Sequence, residues 1–170
     1  EVCIAPSYTD EAQELLSKKA KRILLKWRMQ DISQPIKRSA LNGTLYQDRD
    51  ILNVSESDLT YPSEIKPDSN QLRDLLFADK LVKNTKSNAI ILVKDEQLLA
   101  SGTGQTSRVD ALNQAIAKAE AFNFNLKGAV MASDAFFPFP DCVEIAGSKA
   151  ISAVIQPGGS IKDGLSVFKC

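Results

Sequence analysis

The apolar positions of this chain fall into short blocks whose period changes from one block to the next. Val2 to Ala5 is a brief apolar run broken by Pro6 and Ser7, and it predicts a buried strand. From about Asp10 to Lys21, Ala12, Leu15, Leu16 and Ala20 recur at helical spacing. Ser7 or Thr9 would cap that helix, and Asp10 and Glu11 suit its positive end. Ile23 to Leu25 predicts a second strand. Leu41-Asn42-Gly43-Thr44-Leu45 predicts a hairpin, because Asn-Gly supplies the positive φ angles of a type I′ turn. Residues 54–69, rich in Ser, Asp, Pro and Glu, predict a linker, so the chain is expected to divide into residues 1–60 and 61–170.

The second part alternates regularly. A helix is predicted from about Asn70 to Lys83, with Leu72, Leu75, Leu76 and Leu81 on or near one face. Ala89 to Val93 reads as a strand, Lys94 to Gln97 as a polar turn and Leu98 to Ala100 as the return. Gly102, Gly104 and Ser107 predict a loop feeding a helix from about Arg108 to Phe122, capped by Ser107 with Asp110 in the usual glutamate position. A strand at Gly128 to Ala132, a loop SDAFFPFPD, a helix at Val143 to Lys149, a strand at Ile151 to Ile155 and a glycine-rich loop at Gln156 to Asp163 follow. Strands alternating with helices predict an α/β fold with a mostly parallel sheet. Ligands in such sheets sit beyond the carboxyl ends of the strands, so the loops at 102–107, 133–141 and 156–163 are expected to face one crevice.

Composition narrows the chemistry. With 170 residues, 44% hydrophobic and 25% charged, the chain can bury a core without disulfide staples. Its 21 basic and 21 acidic residues cancel, which gives no electrostatic case for nucleic acid or a membrane surface. The run Lys18, Lys19, Lys21, Arg22 reads as a solvated helix end. Cys3, Cys142 and Cys170 are far apart and form no CxxC pair, which argues against a disulfide framework or a zinc site and for a reducing, cytoplasmic setting. There is no histidine, so imidazole acid–base chemistry cannot come from these residues. The chain opens at Glu1 directly into a strand-like run and ends soon after a glycine-rich turn, and both ends are expected to be cuts through a longer protein.

Three loops carry candidate chemistry. Gly102-Thr103-Gly104-Gln105-Thr106-Ser107-Arg108 combines flexible backbone, hydroxyls, a helix N-terminus and a guanidinium, the parts of an anion site. Spacing alone leaves open whether it is only a capped helix with a surface arginine. In SDAFFPFPD, Pro138 and Pro140 stiffen a loop of high aromatic density. A flat ligand would stack on Phe136 while a carboxylate pairs with ring N–H groups. Gln156-Pro157-Gly158-Gly159-Ser160 presents backbone N–H groups and a hydroxyl, and by itself reads equally as a tight turn. Cys142 is expected to be structural, since nothing nearby in sequence would lower its pKa.

Together these segments resemble the formyltransferase (AICAR transformylase) half of the bifunctional purine-biosynthesis enzymes. The resemblance runs through TKSNAIILVKD, GTGQTSRVDA, KGAVMASDAFFPFPD and AVIQPGGSIKD in family order, and through EVCIAPSYTDEAQELLSKK and LNGTLYQDRD before them. It implies a three-layer, cytidine-deaminase-like sheet with flanking helices in residues 61–170, preceded by the end of a second similar lobe. It implies formyl transfer from 10-formyltetrahydrofolate to aminoimidazole carboxamide ribonucleotide (AICAR), in a homodimeric parent that is also an IMP cyclohydrolase. By the same resemblance, Asn88 and Arg108 contact the ribonucleotide, and Val109, Phe136, Asp141, Ser160 and Ile161 line the folate site. A monovalent cation, K+, is implied near Val82, Thr85, Ser87 and Asp134. The catalytic lysine–histidine pair of the family has no counterpart in this sequence, so no residue here is assigned as catalytic. Asn84 stands where many relatives have histidine or tyrosine, and Asp79 where many have tryptophan.

Two readings follow. In the first, the chain is part of a formyl-transfer enzyme, inactive by itself. In the second, it is a folate- or nucleotide-binding module without catalysis. A zinc deaminase is excluded as an activity, because the histidine and paired cysteines of that signature are absent.

Overall fold

A computed structural model describes residues 2–28 and 35–169. Cys170 therefore lies outside the described residues. The chain forms two units, Glu1–Ile51 and Leu52–Cys170.

The first unit begins with β1 (Val2–Ala5), α1 (Asp10–Ser17) and β2 (Ile23–Lys26), with β1 and β2 paired in parallel from Val2 opposite Ile23 to Ala5 opposite Lys26. Of the two candidate caps, Thr9 is used: its Oγ1 accepts the Ala12 N–H at 3.2 Å. The helix stops at Ser17, short of the predicted Lys21. Arg22 turns back on its end, donating from Nη1 to the Leu16 carbonyl at 3.0 Å, which satisfies an acceptor that a longer helix would have used internally. β3 (Ile36–Ala40) and β4 (Gly43–Gln47) form the expected hairpin. Its turn is displaced by one residue: Leu41, at φ 52°, and Asn42 form the loop, and Gly43 pairs with Ala40. That register places Ile36 and Ala40, both half-buried, on one face.

The second unit opens with a 3-10 turn at Glu56–Asp58, where the Asp58 carboxylate accepts the Ser55 N–H at 2.9 Å. The predicted linker thus contains a capped turn. α2 (Ser69–Lys83) starts at Asp68, whose carboxylate accepts the N–H groups of Asn70 and Gln71. Then come β5 (Ile90–Lys94), β6 (Gln97–Gly102), α3 (Arg108–Ala121), β7 (Val130–Ser133), α4 (Asp141–Ser148), β8 (Ala153–Ile155) and α5 (Asp163–Val167).

These strands form one sheet in the order β6-β5-β7-β8. The expectation of a mostly parallel sheet is corrected: β5 is antiparallel to both β6 and β7, and only β7 and β8 are parallel. The expected turn and return strand are present, the two-residue turn Asp95-Glu96, with φ angles of 53° and 54°, reversing the chain between β5 and β6; the departure is that β7 also joins β5 antiparallel, from Ile90 opposite Ser133 to Val93 opposite Val130. The buried Asp74 of α2 holds that turn, its carboxylate accepting the N–H groups of Asp95 and Glu96 at 2.9 and 2.7 Å. The fold is mixed α/β, with three small sheets and five α-helices among the described residues.

Alternation along the strands sends apolar side chains to both faces of the four-stranded sheet. Ile90, Leu92, Ala100 and Met131 join Leu112, Ala115, Ile116 and Ala119 of α3 and Val143 and Ala146 of α4 on one face. Ala89, Ile91, Val93, Val130 and Ala132 join Leu75, Ala78 and Val82 of α2 on the other. Burial of both faces explains why β5 reads as a continuous apolar run.

Candidate functional site

Strand direction decides which loops meet. Ile90 at the start of β5 pairs with Gly102 at the end of β6 and with Ser133 at the end of β7, while Ala132 pairs with Ile155 at the end of β8. One end of the sheet therefore gathers four segments: residues 86–89 leading into β5, and the loops at 103–107, 134–140 and 156–162. Gly102, read from sequence as part of the first loop, instead closes β6. A Cβ there would stand 1.7 Å from the Ala111 carbonyl oxygen, so glycine is what lets α3 lie against the strand.

The segments are joined by named contacts. Asn88 Nδ2 donates to the Gln105 carbonyl at 3.0 Å, tying the start of β5 to the first loop. Arg108, first residue of α3, reaches across to the end of β7. Its Nε donates to Ser133 Oγ at 3.3 Å, and Nη2 lies 3.5 Å from Asp134 Oδ1. Both charged side chains are largely buried, at 17% and 13% exposure, so their attraction is less screened than on an open surface. Asp134 Oδ1 also accepts the Ala89 N–H at 2.9 Å, and Ser87 Oγ donates to its Oδ2. The sequence reading placed Ser87 and Asp134 in a cation set and Arg108 in a nucleotide set, and the structure joins the two sets through the Asp134 carboxylate.

The residues expected to line a folate site fall into distinct environments. Phe136 is exposed at 41%, whereas its neighbour Phe137 is buried in the core below α3 and α4. Phe139, not singled out from sequence, is exposed, and Lys162 Nζ lies 4.3 Å from its ring centroid. Asp141 is the first residue of α4, and its Oδ1 accepts the Cys142 N–H at 2.8 Å. Val109 packs against the core cluster of α3. Ser160 Oγ accepts the Lys162 N–H at 3.1 Å, and Ile161 is fully exposed. Burial pushes the Cys142 thiol up to about 12, the Asp141 charge adds to the rise, and the Arg108 charge opposes it. The thiol is protonated at neutral pH and fills space.

For a monovalent cation, Val82, Thr85, Ser87 and Asp134 offer only oxygen donors, as a hard ion requires. Val82 and Thr85 lie at the carbonyl-rich end of α2, whose dipole favours positive charge. All four already have internal partners: the Val82 carbonyl accepts the Thr85 N–H at 2.9 Å, Thr85 Oγ1 donates to the Leu81 carbonyl at 2.8 Å, and Ser87 Oγ donates to Asp134, which also accepts the Ala89 N–H and faces Arg108. The donor set fits such an ion in its chemistry. Among the described residues, no group of three His, Cys, Asp or Glu side chains could hold a metal ion. No helix among them is long and apolar enough to cross a membrane.

Two contributors went unnoticed in the sequence. Gln156 Oε1 accepts the Phe137 N–H at 2.8 Å, and Asp163 Oδ2 accepts the N–H groups of Gly159 and Ser160 at 2.7 and 3.0 Å. The Ser160–Asp163 spacing carried a faint signal of this, since an acid three residues after a serine at a helix start is a capping pattern. Gln156 carried none.

Residues 1–118 match the family described as AICARFT/IMPCHase bienzyme. The whole chain is 56% identical to the bifunctional purine biosynthesis protein PurH of Bacteroides thetaiotaomicron and covers 34% of that protein. It is 46% identical over its whole length to the protein of the same description from Aquifex aeolicus, covering 33% of it. Against that of Caldicellulosiruptor bescii it is 46% identical over 98% of the chain and 32% of the relative. The chain thus spans about a third of the length of these curated relatives.

Proposed function

We propose that this chain, which belongs to the AICARFT/IMPCHase bienzyme family, holds both substrates of a formyl transfer from 10-formyltetrahydrofolate to AICAR, a step of IMP biosynthesis. The observation that carries the reading is the meeting of Arg108 and Asp134 with the Phe136–Asp141 and Ser160–Ile161 segments at one end of one sheet.

Arg108 and Asn88 hold the ribonucleotide, the guanidinium suiting an anionic group. Phe136 offers an exposed ring for a pterin to stack on, and Asp141 accepts its ring N–H groups. Val109, Ser160 and Ile161 complete the folate side. In the transfer, the 5-amino nitrogen of AICAR bonds to the formyl carbon. N10 of the folate leaves with the electron pair of its bond to that carbon and takes a proton, while the attacking amine loses one. Holding both ligands in attack geometry lowers such a barrier by roughly 7–11 kcal/mol. The resemblance gives the base role to the histidine of a lysine–histidine pair, and since this chain has no histidine, none of its residues is assigned that role. A K+ ion beside Val82, Thr85, Ser87 and Asp134 would brace the end of α2 against the start of β5.

The fold reading is that residues 61–170 form a three-layer, deaminase-like lobe and residues 1–60 the end of a similar one. Helices on both faces of the four-stranded sheet support this. The parent would be a cytoplasmic homodimer carrying IMP cyclohydrolase as its second activity.

The test is a transfer assay on the full-length protein that carries this chain, beside the 170 residues alone. The full-length protein is expected to yield formylated ribonucleotide, and the chain alone none. Calorimetry of the chain with a folate analogue then separates a substrate-holding segment, which binds, from one that needs the remaining protein to bind at all. No product from the full-length protein with both substrates present would overturn the reading.

A further inference from the structure

The two loops on the folate side are linked through side chains to which the reading above gives no role. Asp163 stands at the start of α5, and its Oδ2 gathers the N–H groups of Gly159 and Ser160 at 2.7 and 3.0 Å. Gly158 and Gly159, at φ 68° and 96°, give that loop a backbone with little stiffness of its own. The Asp163 carboxylate therefore sets where Ser160 and Ile161 sit. Its other oxygen, Oδ1, is 3.5 Å from Gln156 Nε2. Gln156 Oε1 in turn accepts the Phe137 N–H at 2.8 Å. Phe137 is 1% exposed and anchored in the core, so this bond ties the glycine-rich loop to a fixed point one residue from Phe136. Lys162 over the Phe139 ring is a second, independent tie between the same loops.

We propose that Gln156 and Asp163 are positioning residues for the folate side of the site: the relay Asp163–Gln156–Phe137 fixes the distance between the Phe136 ring and the Ser160 segment. This rests on the functional reading above. The relay has a defined polarity. The Gln156 oxygen must face the Phe137 N–H, which turns its NH2 group toward the Asp163 carboxylate, and that carboxylate must accept throughout. Each conservative single change breaks this polarity. Gln156→Glu sets two carboxylates against each other. Asp163→Asn sets two NH2 groups against each other, or turns one toward the loop N–H donors. The combined change Gln156→Glu with Asp163→Asn restores every bond, because the introduced carboxylate accepts from Phe137 and from the introduced amide, whose oxygen still faces Gly159 and Ser160.

The experiment measures both KM values in the full-length protein for the two single variants and the double variant, with a melting curve for each. Each single variant is expected to raise the KM for 10-formyltetrahydrofolate roughly tenfold while the KM for AICAR stays within about twofold, and the double variant to return to within about threefold of the unmodified protein. A purely structural role would move both KM values together, in step with the melting temperature. Parallel changes in both KM values, an unchanged folate KM, or a double variant no better than the singles would overturn the proposal. An unmodified protein that transfers no formyl group overturns the functional reading, and this relay with it, so the two failures are distinct.

Discussion

The Arg108 guanidinium, at the first residue of α3, lies 3.5 Å from the Asp134 carboxylate, just past the end of β7. Two loops separated by a helix and a strand are thereby held at one distance, and a cation is presented without being loose. Arg108→Ala is expected to raise the KM for AICAR roughly tenfold to hundredfold. Arg108→Lys should recover little, because a single ammonium cannot address Ser133 and Asp134 together while facing a ligand. Initial-rate kinetics with each substrate varied in turn checks this, and an unchanged AICAR KM would remove Arg108 from the nucleotide site.

Adjacent phenylalanines should behave oppositely. Phe137 is buried and Phe136 is 41% exposed. Phe137→Ala is expected to cost about 3–5 kcal/mol of unfolding free energy through the cavity it leaves. Phe136→Ala should cost far less stability and weaken folate binding instead. Urea unfolding and calorimetry with a folate analogue measure the two effects, and an unaltered folate affinity in Phe136→Ala would count against stacking.

Gly102→Ala puts a methyl group 1.7 Å from the Ala111 carbonyl oxygen. Neither partner is a flexible side chain end, so α3 must move away from β6. The expected loss is at least about 1–3 kcal/mol. Because Arg108 starts that helix, the AICAR KM should rise as well. An unfolding midpoint equal to that of the unmodified protein would show the helix free to shift.

Cys142 makes a pH-dependent contribution. Burial raises its thiol from 9.0 to about 12, so between those values the folded state holds a proton that the unfolded chain has released. That stability is complete below about pH 9 and is lost as pH rises toward 12. The difference in unfolding free energy between the unmodified protein and Cys142→Ala should therefore shrink over that window. A thiol reagent at neutral pH should modify the half-buried Cys3 well before Cys142. Rapid modification of Cys142 in the folded protein would contradict its burial.

Much of the element order was legible in the chain. The helices beginning at Asp10, Ser69 and Arg108 follow from apolar residues at helical spacing, the first and third also from caps read at Thr9 and Ser107, while the Asp68 cap of the second came only with the structure. These are local signals, carried within a few residues, and the chain cannot satisfy them in many ways. The loops at 133–141 and 156–163 were legible as candidates for the same reason, since proline and glycine restrict the backbone wherever they occur.

Tertiary structure decided what the pattern left degenerate. The turn and return strand after β5 were legible, but an apolar run does not state which strand it joins, so the antiparallel pairing of β5 with β7, and the hold of the Asp74 carboxylate on the Asp95-Glu96 turn 21 and 22 residues away, emerged only with the packed sheet. Phe136 is singled out in the sequence, but nothing in the loop's pattern shows that the core claims Phe137 and leaves Phe139 outside. Arg108 could equally have been a surface arginine until Ser133 and Asp134 reached it across the sheet. The sequence by itself determined the elements and which loops carry unusual chemistry, because propensity, capping and turn geometry act over neighbouring residues. Only the packed sheet decided which of those side chains meet, because that depends on contacts between residues far apart in the chain.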